Sequence, residues 1–344
     1  MSSATLKDIA KEAGVSISTV SLVLSGKKRI SQDVRAKVYK VAKQLGYIKP
    51  VYGASIATNR LSHLAILVHE DYEKAFEWHF IRQMIINLET VITRDQYYPV
   101  IIPVRLDEET NEILEKVVLA RVGGLFSIHY GNAELFQHLE EQSIPVVIVN
   151  NSNFQNQFYS VCVDDFQGAY EGTQYLLGLG HRRFGYVEYH RPDAPAVLKD
   201  RLAGFRTALD AAHIPFTEMD RATVMLFNME ELEQALGKMF EAHSHPTALF
   251  VHDDHLAAQV IVTLQRLRIQ VPQDVSIIAP GDTLDYNQVF IPRITTMRIN
   301  TSLLGTLAGE MMLKRLQHDQ EDMHVLKVNQ TLVERGSCQQ VKRA

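Results

Sequence analysis

The feature of this sequence that most limits its fold is a regular alternation of short apolar runs and longer amphipathic segments from residue 61 onward. Such alternation is typical of parallel, doubly wound α/β sheets, and its restart near residue 163 indicates two lobes. Ligands of these folds bind beyond the carboxyl ends of the strands, which two facing lobes would place around one cleft. The sequence predicts strands at 63–68, 100–104, 124–128, 145–149, 183–187, 247–251 and 275–278, and helices at 80–93, 109–120, 134–142, 170–179, 201–212 and 256–266.

Positive charge is concentrated in the first 60 residues. They contain 11 Lys and Arg against Asp8, Glu12 and Asp33, a net charge of +8, which leaves −13 for the remainder of a chain whose total is −5. A basic segment on an acidic body indicates that this segment alone meets a polyanion. Charge by itself leaves open the alternative of an ordinary solvated basic surface.

The same basic segment has the pattern of three short helices. Thr5 followed by Asp8 has the form of a helix start, and Gly14 is suited to end that helix. Ser16 is suited to cap a second helix and Ser31 a third. Two short helices joined by a tight turn, with a third covering them, predict a helix-turn-helix. Its core is expected to contain Ile9, Ala10, Ala13, Val20, Val23, Leu24, Val34, Val38, Val41 and Leu45.

A generic three-helix bundle would satisfy the same apolar pattern. What favours DNA binding is a set of small hydroxyl side chains on the outer side of the second helix. They allow close approach to a phosphate backbone and can donate hydrogen bonds to it. These residues are Ser16, Ser18, Thr19, Ser21 and Ser25.

The run from Thr5 to Ser21 resembles the DNA-binding signature of the lactose-repressor/galactose-repressor family, and so do Val34–Val38 and Leu45–Tyr47. The body shares landmarks with the same family, whose effector domain is similar to periplasmic sugar-binding proteins. These landmarks lie at 163–169, 179–183, 200–205, 253–254, 291–296 and 332–335.

This resemblance implies a homodimeric transcriptional repressor that binds double-stranded operator DNA and a small effector, a sugar, sugar acid or sugar phosphate. Neither catalysis nor a cofactor is implied. The expected organisation is a helix-turn-helix head at 1–46, a hinge at 47–60 and an effector-binding body at 61–344. The body is expected to divide into a lobe of about 61–162 plus 293–325 and a lobe of about 163–292 plus 326–344.

The resemblance also implies which residues contact DNA. Ile17, Ser18 and Leu22 match base-reading positions, and Leu22 replaces a common Arg, so it can make only apolar contacts such as one with a thymine methyl. In the hinge, Ile56 matches a residue that wedges into the minor groove. Thr5 and Leu6 begin the signature, and the positions that match phosphate contacts are Ser16, Thr19, Ser21, Ser25 and Ser31.

For the effector, the resemblance implies that Arg201 bonds ligand oxygens in the cleft, as a guanidinium can with hydroxyls or a carboxylate. A purely structural ion pair with Asp200 or Asp254 is the alternative. The other expected contacts, which match ligand-binding positions or lie at predicted strand ends, are His69, Trp78, Ser127, Asn150, Phe227 and Asp253.

Two features depart from a neutral-sugar site. Gly281 stands where the family commonly has a ligand-binding Asp. Histidines such as His79, His129 and His252 also lie near the predicted strand ends. Fewer carboxylates and more histidines suggest an acidic or phosphorylated effector.

Other compartments and chemistries find little support in the sequence. Cys162 and Cys338 lie far apart without metal-ligand spacing, which favours a reducing cytoplasm. Neither a secretion signal nor an apolar run of about 18 residues is found, so export and membrane spanning are not expected. The run His252–His255 straddles a predicted strand end, so its four side chains cannot converge on one metal ion.

Two rival function classes each explain part of the chain. An α/β enzyme would share the fold, but no nucleophile–base or carboxylate pair is required by the spacing, and a fold does not fix function. A sugar-binding transport protein would account for residues 61–344 and would leave the basic head without a role.

Overall fold

The structure is a computed structural model of the 344-residue chain. For residues 43, 69 and 75–79 it describes the backbone only. The described residues are 5–24, 30–45, 47, 61–69, 75–105, 107–190, 195–225, 228–241, 245–317 and 324–341.

The head consists of the helices α1 (Leu6–Ala13), α2 (Ile17–Leu24) and α3 (Gln32–Gln44). The predicted helix-turn-helix with a covering third helix is therefore confirmed. The prediction for Leu45 is wrong, because α3 ends before it and its side chain is 38% exposed. Tyr47, which is 7% exposed, packs into the core instead.

Each lobe is built on a six-stranded sheet. Among the described strands, every pairing is parallel except that of β12 (Thr331–Val333) with β10 (Thr295–Arg298), so the predicted doubly wound architecture is confirmed. In spatial order the first sheet contains β11 (Val325–Val328), β5 (Tyr159–Val163), β4 (Val146–Val149), β3 (Gly124–Ile128), β1 (His63–His69) and β2 (Tyr98–Val104). The second contains β12 (Thr331–Val333), β10 (Thr295–Arg298), β9 (Ser276–Gly281), β8 (Ala248–Val251), β6 (Phe184–Tyr189) and β7 (Arg221–Val224).

Helices cover both faces of both sheets. These helices are α4 (Ala75–Arg94), α5 (Thr110–Ala120), α6 (Ala133–Glu141), α7 (Asp165–Gly178), α8 (Ala196–Ala211), α9 (Met229–Glu241), α10 (Asp254–Arg266) and α11 (Thr301–Leu316). In the first lobe one face packs on α4 and α11 and the other on α5 and α6. In the second lobe the corresponding pairs are α7 with α8 and α9 with α10. No helix in the described ranges is both long and apolar enough to cross a membrane.

This two-sided cover explains why the strands read as continuous apolar runs. Every residue of β3, β4 and β8 is buried, since neither face of a central parallel strand meets water. Successive side chains of one strand therefore point to opposite faces of the sheet and pack into two different cores. In β3, Leu125 packs towards α5 and α6 while Phe126 packs towards α4 and α11.

In its described part the chain passes between the sheets after β5, after β10 and between β11 and β12. These passages lie a few residues from the predicted lobe edges. The predicted first lobe includes 293–325, yet β10 pairs with β9 of the second sheet. The predicted second lobe includes 326–344, yet β11 pairs with β5 of the first sheet.

Several elements were not predicted. The strands β5, β7, β10, β11 and β12 and the helices α9 and α11 are additions to the expected pattern. Most of these strands have three or four residues, and β7 and β12 lie at sheet edges, where pairing with a neighbour defines them more than apolar content does. The helix predicted at 80–93 begins earlier, at Ala75, and the one predicted at 170–179 begins at Asp165.

Two glycines allow the closest helix contacts, one in each lobe. A Cβ at position 204 of α8 would lie 2.1 Å from the carbonyl oxygen of Phe166 in α7. A Cβ at position 305 of α11 would lie 2.2 Å from the carbonyl oxygen of Met84 in α4. Backbone atoms cannot move aside like the end of a flexible side chain, so both helix pairs require glycine at the crossing.

We expect Gly204→Ala and Gly305→Ala each to lower the free energy of unfolding by about 1–3 kcal/mol or more, because the added methyl group forces two packed helices apart. The matched control is Gly237→Ala in α9, where a Cβ would have no neighbour within 4 Å. It should be neutral or stabilising by about 0.5–1 kcal/mol. Urea denaturation measures all three, and equal effects at the three positions would contradict the close-packing explanation.

Candidate DNA-binding head and effector cleft

A reciprocal cap holds the first turn of α1. The Thr5 backbone N–H donates to Asp8 Oδ2 over 2.9 Å, and the Asp8 N–H donates to Thr5 Oγ1 over 3.4 Å. Hydrogen bonds from Thr5 lower the pKa of the Asp8 carboxyl, which stays ionised at the positive end of the helix dipole. Gly14 ends α1 with φ of 63°. Together these two caps set the tight turn from which α2 starts.

Three hydroxyl groups meet at the start of α2. Ser16 Oγ lies 2.7 Å from Ser18 Oγ and 2.8 Å from Thr19 Oγ1. It also accepts a hydrogen bond from the Thr19 backbone N–H over 3.1 Å, as predicted for the N-cap. The first turn of a helix has unpaired N–H groups and a positive partial charge, so a hydroxyl-rich first turn is suited to a phosphate.

The outer face of α2 carries neither charge nor amide. Val20 and Val23 are fully buried, whereas Ile17 is 49% and Leu22 37% exposed. Ser18 and Ser21 lie on the same exposed side, one turn from Leu22 and Ile17 respectively. Such a face can make apolar and hydroxyl contacts with bases, but not the bidentate contacts of Arg, Asn or Gln.

The other predicted DNA contacts are spread around this helix. Leu6 packs against the core of the head and so has a structural role in addition to any contact with DNA. Ser31 is exposed immediately before α3. Ser25 and Ile56 lie outside the described residues.

The cleft side of the second lobe is organised by a buried ion pair. Arg201 and Asp165 are 6% and 7% exposed. Arg201 Nε donates to Asp165 Oδ1 over 2.8 Å, and a second guanidinium nitrogen lies 2.7 Å from the same oxygen. A third N–H donates to the carbonyl oxygen of His252 over 2.5 Å. The structural pairing partner is thus Asp165, and the alternatives Asp200 and Asp254 are both wrong.

Asp254 is fully buried and serves the loop that follows β9. Its carboxylate accepts hydrogen bonds from Thr283 N–H over 2.6 Å, from the Thr283 hydroxyl over 2.8 Å and from Leu284 N–H over 3.0 Å. Gly281 has φ of 128°, and a Cβ there would lie 2.5 Å from Asp254 Oδ1. The Asp254 carboxylate thus occupies the space that a side chain at position 281 would need.

Asp253 caps α10, accepting a hydrogen bond from Leu256 N–H over 2.7 Å. The hydroxyl of Tyr189, at the end of β6, also donates to it over 3.4 Å. Burial raises the pKa of Asp253. It therefore sits at a carboxyl strand end as predicted, with one oxygen already committed to the helix.

In the first lobe, His129 and Asn150 follow neighbouring strands, β3 and β4. Asn150 Nδ2 and His129 Nε2 are 3.0 Å apart. Both residues have left-handed backbones, with φ of 60° and 54°, a conformation that Asn and His adopt more readily than most residues other than glycine. Phe80 packs edge-on against His129, with the ring centroids 5.7 Å apart. Ser127 is not part of this surface: it is fully buried and donates its hydroxyl to the Tyr130 carbonyl oxygen over 3.0 Å.

The two lobes meet beside these strand ends. The side chain of Asn153, in the turn after β4, accepts a hydrogen bond from Ala196 N–H at the start of α8 over 2.9 Å. Of the remaining predicted effector contacts, Phe227 lies outside the described residues. His69 and Trp78 have only their backbones described, at the end of β1 and in α4.

Three buried polar residues near Arg201 were missed as site residues. Asp165, Glu188 and Gln330 are 7%, 2% and 4% exposed. A carboxylate inside the apolar strand FGYVEY is a signal that could have drawn attention to Glu188. Gln330 carries no such signal, because its position between β11 and β12 depends on the chain passing between the lobes. Within the described residues, no group of three His, Cys, Asp or Glu side chains could hold a metal ion.

Comparisons with known proteins agree with this geometry. Residues 5–49 match the family model of bacterial regulatory proteins of the lacI family, and residues 173–338 match that of the periplasmic binding protein-like domain. The HTH-type transcriptional repressor PurR of Pectobacterium atrosepticum is 30% identical over 345 residues, covering 97% of this chain and 96% of that repressor. The chain belongs to the LacI family. PurR of Photorhabdus laumondii is 29% identical over 342 residues with the same coverage.

Solved structures of LacI-family regulators share the fold. The transcriptional regulator CelR in complex with cellobiose has a TM-score of 0.71 at 23% identity, covering 97% of this chain and 99% of that chain. The lac repressor dimer bound to operator and the anti-inducer ONPF has a TM-score of 0.67 at 21% identity, covering 98% and 100%. As a LacI-family transcription regulator, the protein binds DNA through its head and an effector through its periplasmic-binding-protein-like body, and it is not an enzyme.

The buried ion pair leads to a stability prediction for this LacI-family chain. Arg201→Ala leaves the Asp165 carboxylate buried without its counter-charge, and we expect the free energy of unfolding to fall by about 3–5 kcal/mol. The double variant Arg201→Ala/Asp165→Ala should recover part of that loss. Arg105→Ala, which breaks an exposed ion pair with Asp107, is the matched control and should cause no measurable loss. Chemical denaturation distinguishes these cases; a double variant no more stable than the single one would contradict the pairing.

Proposed function

We propose that this protein is a repressor that binds a two-fold operator as a homodimer and releases or tightens on it when an effector binds between the lobes. The observation that carries the proposal is the outer face of α2, where exposed apolar side chains lie beside a cluster of hydroxyls at a capped helix start. The PurR relatives, which are named as transcriptional repressors, support the direction of control. Because the chromosome is its target, we also propose that it acts in the cytoplasm.

In this proposal, the head makes two kinds of contact with DNA. Ser16, Thr19 and Ser21 bind phosphates and fix the orientation on the duplex, together with Thr5, Ser25 and Ser31. Ile17, Ser18 and Leu22 contact base edges in the major groove. Ile56 of the hinge enters the minor groove between the two heads, where an apolar wedge opens a base step.

A dimer follows from the way such heads read DNA. A single α2 covers only a few base pairs, and two heads one helical turn apart read a half-site each on the same side of the duplex. The lac repressor, a structural neighbour, binds its operator as a dimer. Sedimentation of the full chain should give about twice the 39.0 kDa monomer mass.

We propose that the effector is held from both lobes. Asn150, supported by His129, faces it from the first lobe, and Arg201 and Asp253 face it from the second. His69, Trp78 and Phe227 are further contacts in this proposal, while Ser127 contributes only by its hydrogen bond to the turn at Tyr130. A ligand that bridges the lobes favours one angle between them, and a coupling of about 1–3 kcal/mol is typical for such a shift. That angle sets the separation of the two heads.

A charge on the outer face of α2 tests the DNA-binding assignment. Ser21→Glu should abolish specific operator binding, because a carboxylate would face the phosphates, and it should leave the thermal stability of the body unchanged. Asn111→Glu adds the same charge at an exposed position in the first turn of α5 and serves as the control. Fluorescence anisotropy with an operator selected from random duplexes measures both. Full operator affinity in Ser21→Glu would rule out this face as the interface.

The apolar character of the same face gives a prediction about bases. Replacing thymine by uracil in the selected operator removes only the C5 methyl group. At each thymine contacted by Ile17 or Leu22 this should weaken binding about fourfold, which corresponds to one buried methyl group. The Leu22→Ser variant should lose this sensitivity at its own base pair while Ile17 keeps its effect. Equal affinity of the wild-type protein for thymine and uracil operators would contradict methyl readout.

A further inference from the structure

The charges and hydrogen-bond partners around Arg201 determine which effectors the cleft accepts, provided that the effector binds there as proposed above. Arginine cannot be deprotonated in proteins and has five N–H donors. Three are committed, two to Asp165 and one to the His252 carbonyl oxygen. The positive charge is thus neutralised before any ligand arrives, and two N–H donors remain for an uncharged oxygen.

The surroundings of this pair are acidic. Burial raises the pKa of the Asp165 carboxyl, the Arg201 guanidinium opposes this, and the nearby carboxylates of Asp200 and Asp164 act in the same direction as burial. Burial also raises the pKa of Asp200, with Asp164 acting in the same direction. The nearby ammonium group of Lys327 lies 3.8 Å from an Asp164 oxygen, so it too has a counter-charge.

A second buried carboxylate lies on β6. Glu188 Oε1 accepts from the Arg221 guanidinium, with Nε at 2.7 Å, so the cation on this side is also paired. Glu188 Oε2 is buried and has no hydrogen-bond partner in the described part of the chain. Along the sheet, Glu188 lies one residue beyond the Val187–Val251 pair and therefore beside His252.

Gln330 supplies another buried acceptor at the passage between the lobes. Its Nε2 donates weakly to Asp165 Oδ1, over 3.5 Å, and its Oε1 has no partner among the described residues. Gly168 of α7 makes room for this amide, since a Cβ there would lie 2.3 Å from the Gln330 side chain. The amide is thus built into the fold beside the ion pair.

Unsatisfied buried oxygens require donors, and a buried anion requires a free cation or a row of donors. Here Glu188 Oε2 and Gln330 Oε1 lack donors among the described residues, while Arg201, Arg221 and Lys327 are each paired with a carboxylate. We infer that the effector is an uncharged molecule rich in hydroxyl or N–H donors, and that Asp165 excludes phosphates and carboxylates by holding the charge of Arg201. This reverses the expectation of an acidic or phosphorylated effector drawn from the histidines.

The first experiment uses inorganic phosphate as the probe on the full chain. Phosphate bound at the head affects wild type and variants equally, so the test compares them: wild-type protein should show a smaller phosphate-dependent rise in melting temperature than Asp165→Asn, with chloride at equal ionic strength as the baseline. Asp165→Asn keeps the shape and removes the charge, so its Arg201 is free to bind an anion, and phosphate should bind about tenfold or more tightly to it than to wild type. Asp107→Asn, which removes the partner of exposed Arg105, is the matched control and should behave as wild type.

Equal phosphate binding by wild type and Asp165→Asn, whether strong or absent, would overturn the role of Asp165. The second experiment does not depend on any variant folding. Wild-type protein is tested with matched pairs, namely glucose with glucose 6-phosphate and gluconate, ribose with ribose 5-phosphate, and adenosine with AMP. A stabilising neutral member of any pair, with its anionic partner at least tenfold weaker, supports the inference and separates sugar from nucleoside.

Stabilisation by an anionic member above its neutral partner would overturn the inference, and so would the failure of every neutral member. Operator binding is measured on the same samples. A chain that binds operator yet prefers anions disproves only the effector class. A chain that binds no operator at all disproves the proposed function itself.

Discussion

A guanidinium group that cannot lose its proton is buried at the cleft edge of the second lobe, and much of that edge is arranged around it. Arg201 comes from α8, its counter-charge Asp165 from the first turn of α7, and the His252 carbonyl oxygen from the end of β8. The α7–α8 pair must therefore sit close enough for two short hydrogen bonds, and Gly204 provides that approach. Packing and electrostatics here impose the same geometry on two helices.

Much of the fold could be predicted because its signals are local. The caps at Thr5 and Gly14 need only their own turn, and the buried runs of β3 and β4 are apolar whatever lies beside them. The edge strand β7 was missed because four residues with a polar start and end carry no such signal, and its neighbour β6 supplies its definition. The predicted lobe edges are a few residues off for a similar reason. Which sheet a strand joins depends on its partner strand, and this decides where the chain passes from one lobe to the other.

In the candidate site, too, single residues could be predicted from the sequence, whereas their partners in the fold could not. Family resemblance was sufficient to select Arg201 and Asn150, but not their partners, because Asp165 is 36 residues away and His129 is 21 residues away along the chain. Pairing depends on which helices and strands the tertiary fold brings side by side. The glycine at position 281 was noticed as a departure, and its cause became visible only once the Asp254 carboxylate was seen in the space that a side chain would need.

The passages after β5, after β10 and between β11 and β12 have a mechanical consequence for the body. Each lobe is assembled from separated stretches of sequence. Three chain segments, here called straps, therefore join the two lobes, here called blocks, where a single linker would join two consecutive domains. Cutting one strap leaves the blocks joined by the others. A protease that nicks a single passage should yield fragments that part in denaturant yet travel together under native conditions. The same three straps limit how far the blocks can move relative to each other.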